Sequence, residues 1–266
     1  MIAVRYTPRI ADLMPASEDA QLGEATWTGY VKFDHSHPLV ANLDFRRALA
    51  SAIDRDALAD VVSANLLVAT GGLVPPAIQG HTPDIAPRFD PDGAREHFAR
   101  AGATGPLAIG VFDEWREIAG TLAAGWKDVL GVEVELRPWS RADVLGARFD
   151  WTAPIYIHGW LPGYPDPEYY LRLLLHSDSK TNEGGFSYAP YDELIERARR
   201  EREGRARLEL YHEADRMAVA DRIALIPLVY GRNMAFVKPW IEGWWEFGKS
   251  SASFADLVVG DDSPRR

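Results

Sequence analysis

Residues 107–136 read LAIGVFDEWREIAGTLAAGWKDVLGVEVEL, and the succession of patterns in this stretch determines the class of fold. LAIGV (107–111) is a short apolar run of strand type. Trp115, Ile118, Ala119, Leu122, Trp126, Val129 and Leu130 then recur at helical spacing and form one apolar face. Gly131 stops the helix, because a residue without Cβ enters the left-handed backbone of a helix terminus without strain. VEVEL (132–136) alternates apolar and acidic residues, the pattern of a half-covered strand. SRADVLGAR (140–148) predicts a short helix and APIYI (153–157) a third strand. The order β-α-β-α-β predicts parallel pairing and an α/β fold.

Upstream, residues 1–40 read as irregular, with regular structure starting after Asn42. Asn42 caps a helix whose inner face is Phe45, Ala48, Leu49, Ala52 and Ile53. Asp54 opens a shorter helix carrying Leu58, Val61 and Val62. GGLVPPAIQGHTPDIAP (71–87) reads as a long Pro/Gly loop. Asp90, Pro91 and Gly102 bound the next helix at its cap, first position and end. Downstream, helices are predicted over DPEYYLRLLL (166–175), PYDELIERARRERE (190–203) and about 205–221. ALIPLVY, NMAFV and ADLVV read as three separate strands.

Bulk composition narrows the function. The chain has 266 residues, 47% of them hydrophobic, so a sizeable core can form. It contains no apolar run of 18 residues, which excludes a membrane-spanning helix. The N-terminus MIAVRYTPRIADLMP lacks the pattern of a signal peptide, so either the chain is not exported or its signal lies outside this piece. Without cysteine there are no disulfides and no thiolate metal sites. A net charge of −10 repels phosphate backbones, so nucleic-acid binding is not expected.

Motifs for catalysis are weak. GWWEFGKS (243–250) fits G-x-x-x-x-G-K-S, but a phosphate cradle needs small residues, and here Trp244, Trp245, Glu246 and Phe247 fill it. A turn-rich aromatic segment is the better reading. No G-x-S-x-G or H-E-x-x-H occurs. His35 and His37 have no carboxylate at ligand spacing. Asp113 and Glu114 follow a strand end, where an acid–base pair could sit, but helix-start carboxylates explain them more simply.

HGWLPGYPDPEYYL (158–171) is the informative loop. It joins a strand ending at Ile157 to a helix starting near Asp166–Pro167, and ligands of open α/β sheets bind at carboxyl strand ends. Its candidate lining is His158, Trp160, Leu161, Pro162, Gly163, Tyr164 and Asp166, with Phe112 and Asp113 from the neighbouring strand end; Tyr169 extends the aromatic set. The alternative is that Trp160 is simply core.

This loop resembles the W-x-x-D-Y-x-D-P region of bacterial extracellular solute-binding family 5, which serves peptide-type ABC transporters. NLDFRRALASAIDRDAL, FDPDGAREHFARAGA, EIAGTLAAGWKDVLGVEVEL, NEGGFSYAPYDELIERAR, LYHEADRMAVADRIALIPLVYG and VKPWIEGWWEF resemble further family segments in the same order, over roughly residues 26–260. The resemblance implies a periplasmic-binding-protein-like lobe (type II, cluster C-like), a mainly parallel sheet flanked by helices, plus remnants of the other lobe. Residues 1–35 are expected as the first-lobe remnant, 36–227 as the C-terminal ligand-binding lobe, and 228–266 as the return to the first lobe.

Family members are about twice this length, so the resemblance implies a fragment, a trimmed piece or a degenerate gene product. It implies a non-enzymatic protein without cofactor. A small solute (peptide, sugar or similar) would be held in an interlobe cleft, in partnership with an ABC transporter permease if full length. Exposed cleft and first-lobe remnants offer apolar area for a homodimer. Gly163 stands where peptide-binding members carry the aspartate that pairs with the ligand's ammonium group. Losing such a contact forfeits ~1.5–3 kcal/mol, so aromatic lining is expected to dominate. Location is expected to be periplasmic or extracellular. The alternative is the ligand-sensing module of a bacterial transcription regulator, which would be cytoplasmic.

Overall fold

In the computed structural model, which describes residues 2–4, 19–62, 66–139, 153–242 and 258–260, Leu107–Val111 pairs in parallel with Val134–Pro138 on one side and Ile155–Trp160 on the other. In chain order the elements are β1 (Ile2–Val4), β2 (Ala20–Phe33), α1 (Pro38–Ala41), α2 (Leu43–Ser51), α3 (Arg55–Ala59), β3 (Leu66–Val68), α4 (Pro91–Ala101) and β4 (Leu107–Val111). A 3-10 turn (Asp113–Trp115) leads to α5 (Arg116–Leu130), β5 (Val134–Pro138), β6 (Ile155–Trp160), α6 (Glu168–Leu175), α7 (Ala189–Arg200) and α8 (Gly204–Arg216). A π turn (Met217–Asp221) precedes β7 (Leu225–Phe236), β8 (Ile241–Glu242) and β9 (Val258–Val259).

The main sheet runs β1-β7-β2-β6-β4-β5, with β3 also on β7. It is mixed: β6, β4 and β5 are parallel, as expected, whereas β2 and β7 run antiparallel to each other, and β2 antiparallel to β6. One apolar layer joins α2, α4 and α5 to Val31, Ile109, Ile157 and Leu228 of the sheet. On the other face α6, α7 and α8 pack with Tyr30, Leu225 and the loop residues Leu73, Val74 and Ile78.

Helix ends follow the capping logic of the sequence. Asn42 accepts hydrogen bonds from the Asp44 and Phe45 amides, Asp54 from those of Asp56 and Ala57, and Asp90 from that of Gly93. Gly102 and Gly131 close their helices at φ 60° and 69°. Trp126 on α5 is fully buried and donates its indole N–H to the Leu49 carbonyl at 3.0 Å, fastening α5 to α2.

Two expectations change. Residues 19–40, the longer described part of the N-terminal stretch, are not irregular: β2 is the long strand beside β6, and α1 follows it. The two strands expected at 224–230 and 233–237 are one continuous β7. Thr28–Phe33 pair with Trp160–Ile155, and Lys32–Trp27 with Leu225–Gly231, so β2, β6 and β7 lie in one sheet. The short helix at 140–148 and the GWWEFGKS segment lie outside the described residues.

Candidate functional site

β4 and β5 end level with each other, Val111 beside Pro138, and β6 runs on past them to Trp160. Trp160, the last residue of β6, is level with Thr28 of β2, and Thr28 with Tyr230 of β7. Beyond that level β2 and β7 continue as a ribbon, joined by β1 at Ile2–Val4. The carboxyl edge of β4 and β6 therefore faces along this ribbon.

The rim of that edge is aromatic. Trp160 is partly buried; its indole N–H donates to the Tyr169 carbonyl at 2.9 Å, and the two rings lie 5.7 Å apart at 32°. Tyr164 meets Tyr169 edge-on at 4.7 Å and is 47% exposed. Gly163 has a local reason to be glycine: a Cβ there would sit 2.9 Å from the Tyr169 hydroxyl oxygen and 3.1 Å from two ring carbons. The loop can lie on the tyrosine only without a side chain at this position. Leu161 is partly buried and Pro162 buried.

Asp166 is a brace. One of its oxygens accepts the Glu168 amide at 2.9 Å and the Arg207 guanidinium at 2.7 Å, tying the loop to α8. Arg207 itself lies 4.8 Å from the Tyr211 ring centre. At the β4 end, Phe112 stacks on Trp139 at 4.9 Å. The exposed Asp113 pairs with Arg116 at 2.9 Å. His158 sits beneath the rim, its Nδ1 buried without a hydrogen-bond partner. Burial, then the nearby Lys32 charge, push its pKa down to about 3, so the ring is neutral. Lys32 is itself paired with Glu183.

Of the residues singled out in the sequence, Trp160, Leu161, Pro162, Gly163, Tyr164 and Asp166 thus form one continuous rim, and Tyr169 underlies it. Phe112 and Asp113 occupy the adjacent strand end, and His158 lies below. His35 and His37 take structural partners: His35 meets the Ala224 carbonyl at 2.9 Å, and His37 caps α1. Sequence reasoning missed Thr28, Tyr230 and Arg207. No local pattern marks them, because their partners lie far along the chain.

Behind the rim the opposite sheet face is closed by two indoles. Trp27 and Trp115 meet edge-to-face with centres 6.1 Å apart. A Cβ on Gly231 would fall 1.6 Å from the Trp27 ring, and one on Gly29 2.4 Å from the Trp115 ring. Three adjacent strands each present a glycine here, since Gly159 is the register partner of Gly29.

The profile described as "Bacterial extracellular solute-binding proteins, family 5 Middle" matches residues 3–182, two thirds of the chain. The chain belongs to this family. It is 27% identical to the periplasmic oligopeptide-binding protein OppA of Salmonella typhimurium, over 82% of this chain and 42% of that protein. It is 29% identical to the probable deoxycholate-binding periplasmic protein YgiS of Escherichia coli, over 88% of this chain and 46% of that protein. Among solved structures, the murein tripeptide-binding protein MppA of Escherichia coli superposes with a TM-score of 0.81 at 22% identity, covering 95% of this chain and 52% of that one. The fold is therefore shared, and the chain spans about half the length of these relatives.

Proposed function

We propose that this chain supplies one wall of the ligand cleft of an ABC-transporter solute-binding protein, acting outside the cytoplasm by binding and not by turnover. The observation that carries the reading is the stepped edge at which β4 stops at Val111 and β6 at Trp160 while β2 and β7 run on. A cleft wall needs that arrangement: an open strand edge, plus two connections leading across to an opposing body. The edge also carries the chemistry of a binding surface, with an exposed tyrosine, a glycine loop and a neutral interior.

Trp160, Leu161, Pro162, Gly163 and Tyr164 form the contact rim in this reading, Phe112 and Asp113 extend it, and Asp166 and His158 support it. The relatives are named for oligopeptides, a murein tripeptide and deoxycholate. For this chain the solute is a small peptide or another compound presenting a flat, weakly polar face, because Asp166 and Asp113 are each paired with an arginine. The partner is the permease of the same transporter. Exposed apolar residues such as Val258 and Val259 support self-association of the free chain, which sedimentation would reveal as a concentration-dependent mass.

The test is a tryptophan-fluorescence titration with short peptides, bile acids and oligosaccharides, on wild type and Trp160→Ala. One solute class should perturb the wild-type emission, and the variant should lose at least about tenfold in affinity. Unchanged emission with every class would refute the proposed wall.

A further inference from the structure

Tyr169 lies outside the rim loop, as the second residue of α6, yet Trp160, Gly163, Tyr164 and Asp166 all meet it. Its carbonyl accepts the Trp160 indole N–H at 2.9 Å, and its ring lies 5.7 Å from the Trp160 ring at 32°. The Tyr164 ring meets the same ring at 4.7 Å and 86°. The Gly163 backbone lies so close that a Cβ there would fall 2.9 Å from the Tyr169 hydroxyl oxygen. The Tyr169 amide donates to the Asp166 carbonyl at 3.1 Å.

Tyr169 is itself fixed from below. The two residues that follow it, Tyr170 and Leu171, have none of their surface exposed. The Tyr170 hydroxyl donates to the Thr26 carbonyl of β2, and the Leu171 carbonyl accepts the Tyr191 hydroxyl of α7 at 2.9 Å. α6 is thereby tied to the sheet and to the next helix. Gly163 and Tyr164, by contrast, are exposed. A glycine loop left to itself samples many conformations, and ordering it on binding costs affinity. A loop laid on a packed helix is ordered beforehand.

We infer that Tyr169 is the positioning residue of the rim: it sets the Trp160 and Tyr164 rings steeply inclined to each other, holds the Gly163 backbone against its hydroxyl end, and so fixes in advance the surface that a solute meets. The role in solute binding rests on the cleft-wall reading; the positioning itself does not. The contacts with Trp160 and Tyr164 are made by the ring and the carbonyl, not by the hydroxyl. Phenylalanine therefore replaces Tyr169, whereas leucine keeps an apolar helix residue and loses the flat surface.

The indole N–H resonances of the labelled chain, with Trp160 assigned through Trp160→Phe, test this without solute. Trp126 is the internal control, because its indole is fully buried and bonded to Leu49. The exchange rate of the Trp160 indole N–H, as a ratio to that of Trp126, should rise at least about fivefold in Tyr169→Leu and stay within about twofold in Tyr169→Phe. A constant ratio in Tyr169→Leu, or an equal rise in Tyr169→Phe, overturns the inference. Gly163→Ala presses a methyl against the same ring and should raise the ratio likewise. The double variant Gly163→Ala/Tyr169→Leu should add less than about twofold to either alone, because both disturb one arrangement. Additive effects overturn it. If Tyr169→Leu does not fold, wild type decides: nuclear Overhauser contacts between the Gly163 α-protons and the Tyr169 ring protons support the positioning, and their absence overturns it.

Whichever of trialanine and deoxycholate perturbs the wild-type emission should bind Tyr169→Leu at least about tenfold more weakly and Tyr169→Phe within about threefold. Undiminished affinity in Tyr169→Leu overturns the role in binding. The exchange readouts need no solute, so a failure of Tyr169 and a failure of the cleft wall are told apart.

Discussion

Gly231 and His158 set the terms at the scale of single residues. Gly231→Ala forces a methyl into the Trp27 ring, and neither the strand nor the indole has room to move. The denaturant midpoint should fall by the equivalent of about 2 kcal/mol or more, because overpacking a closed site distorts backbone and rotamers together. Acid should act through the histidines. His158 and His35 are held neutral by burial, at about 3 and about 4, while an unfolded histidine protonates near 6.5. The stability they confer is present above 6.5 and is lost as pH falls through their folded values. His158→Gln should flatten the acid limb of a melting-temperature profile, and an unchanged limb would assign acid sensitivity elsewhere. Trp160, Gly163 and Tyr164 were legible in the sequence because a Gly/Pro loop after a buried strand is a local pattern. Thr28 and Tyr230 were not, because each acts through a partner more than 40 residues away.

Elements were legible where the chain announces its own boundaries. α2, α3 and α4 begin at side chains that accept their first free amides, and the sequence places those acceptors at Asn42, Asp54 and Asp90. Asn42→Ala should lower the unfolding free energy by about 1 kcal/mol, measured in urea. A loss below a few tenths would mean that water replaces the cap. β2 escaped notice because AQLGEATWTGYVKF mixes glycine, threonine and lysine with its apolar residues. Its inner face, Trp27, Gly29, Val31 and Phe33, has a glycine where a bulky residue is the usual signal. That glycine is there to receive Trp115, a contact that exists only after folding. β7 reads as two strands because Gly231 and Arg232 interrupt its apolar run; the same glycine leaves room for the Trp27 ring.

For the whole molecule, both helical layers rest on the same strands. Val31 and Phe33 belong to one apolar layer, and Tyr30, the residue just before Val31, to the other. The layers should unfold together, with near-ultraviolet signals from tryptophan and far-ultraviolet signals from the backbone coinciding along a denaturant series. Separate midpoints would show that one layer survives alone. The glycine row also governs how the chain finds its alignment. A slip of β7 along β2 by two residues, the smallest that keeps the same side chains facing inward, would bring Val229 or Asn233 under the Trp27 indole in place of Gly231. Neither leaves space for the ring. The match between the strands is keyed by shape, so refolding chains have no near-miss pairing to fall into at this point. Insertions should be tolerated in the connecting loops and refused within either strand.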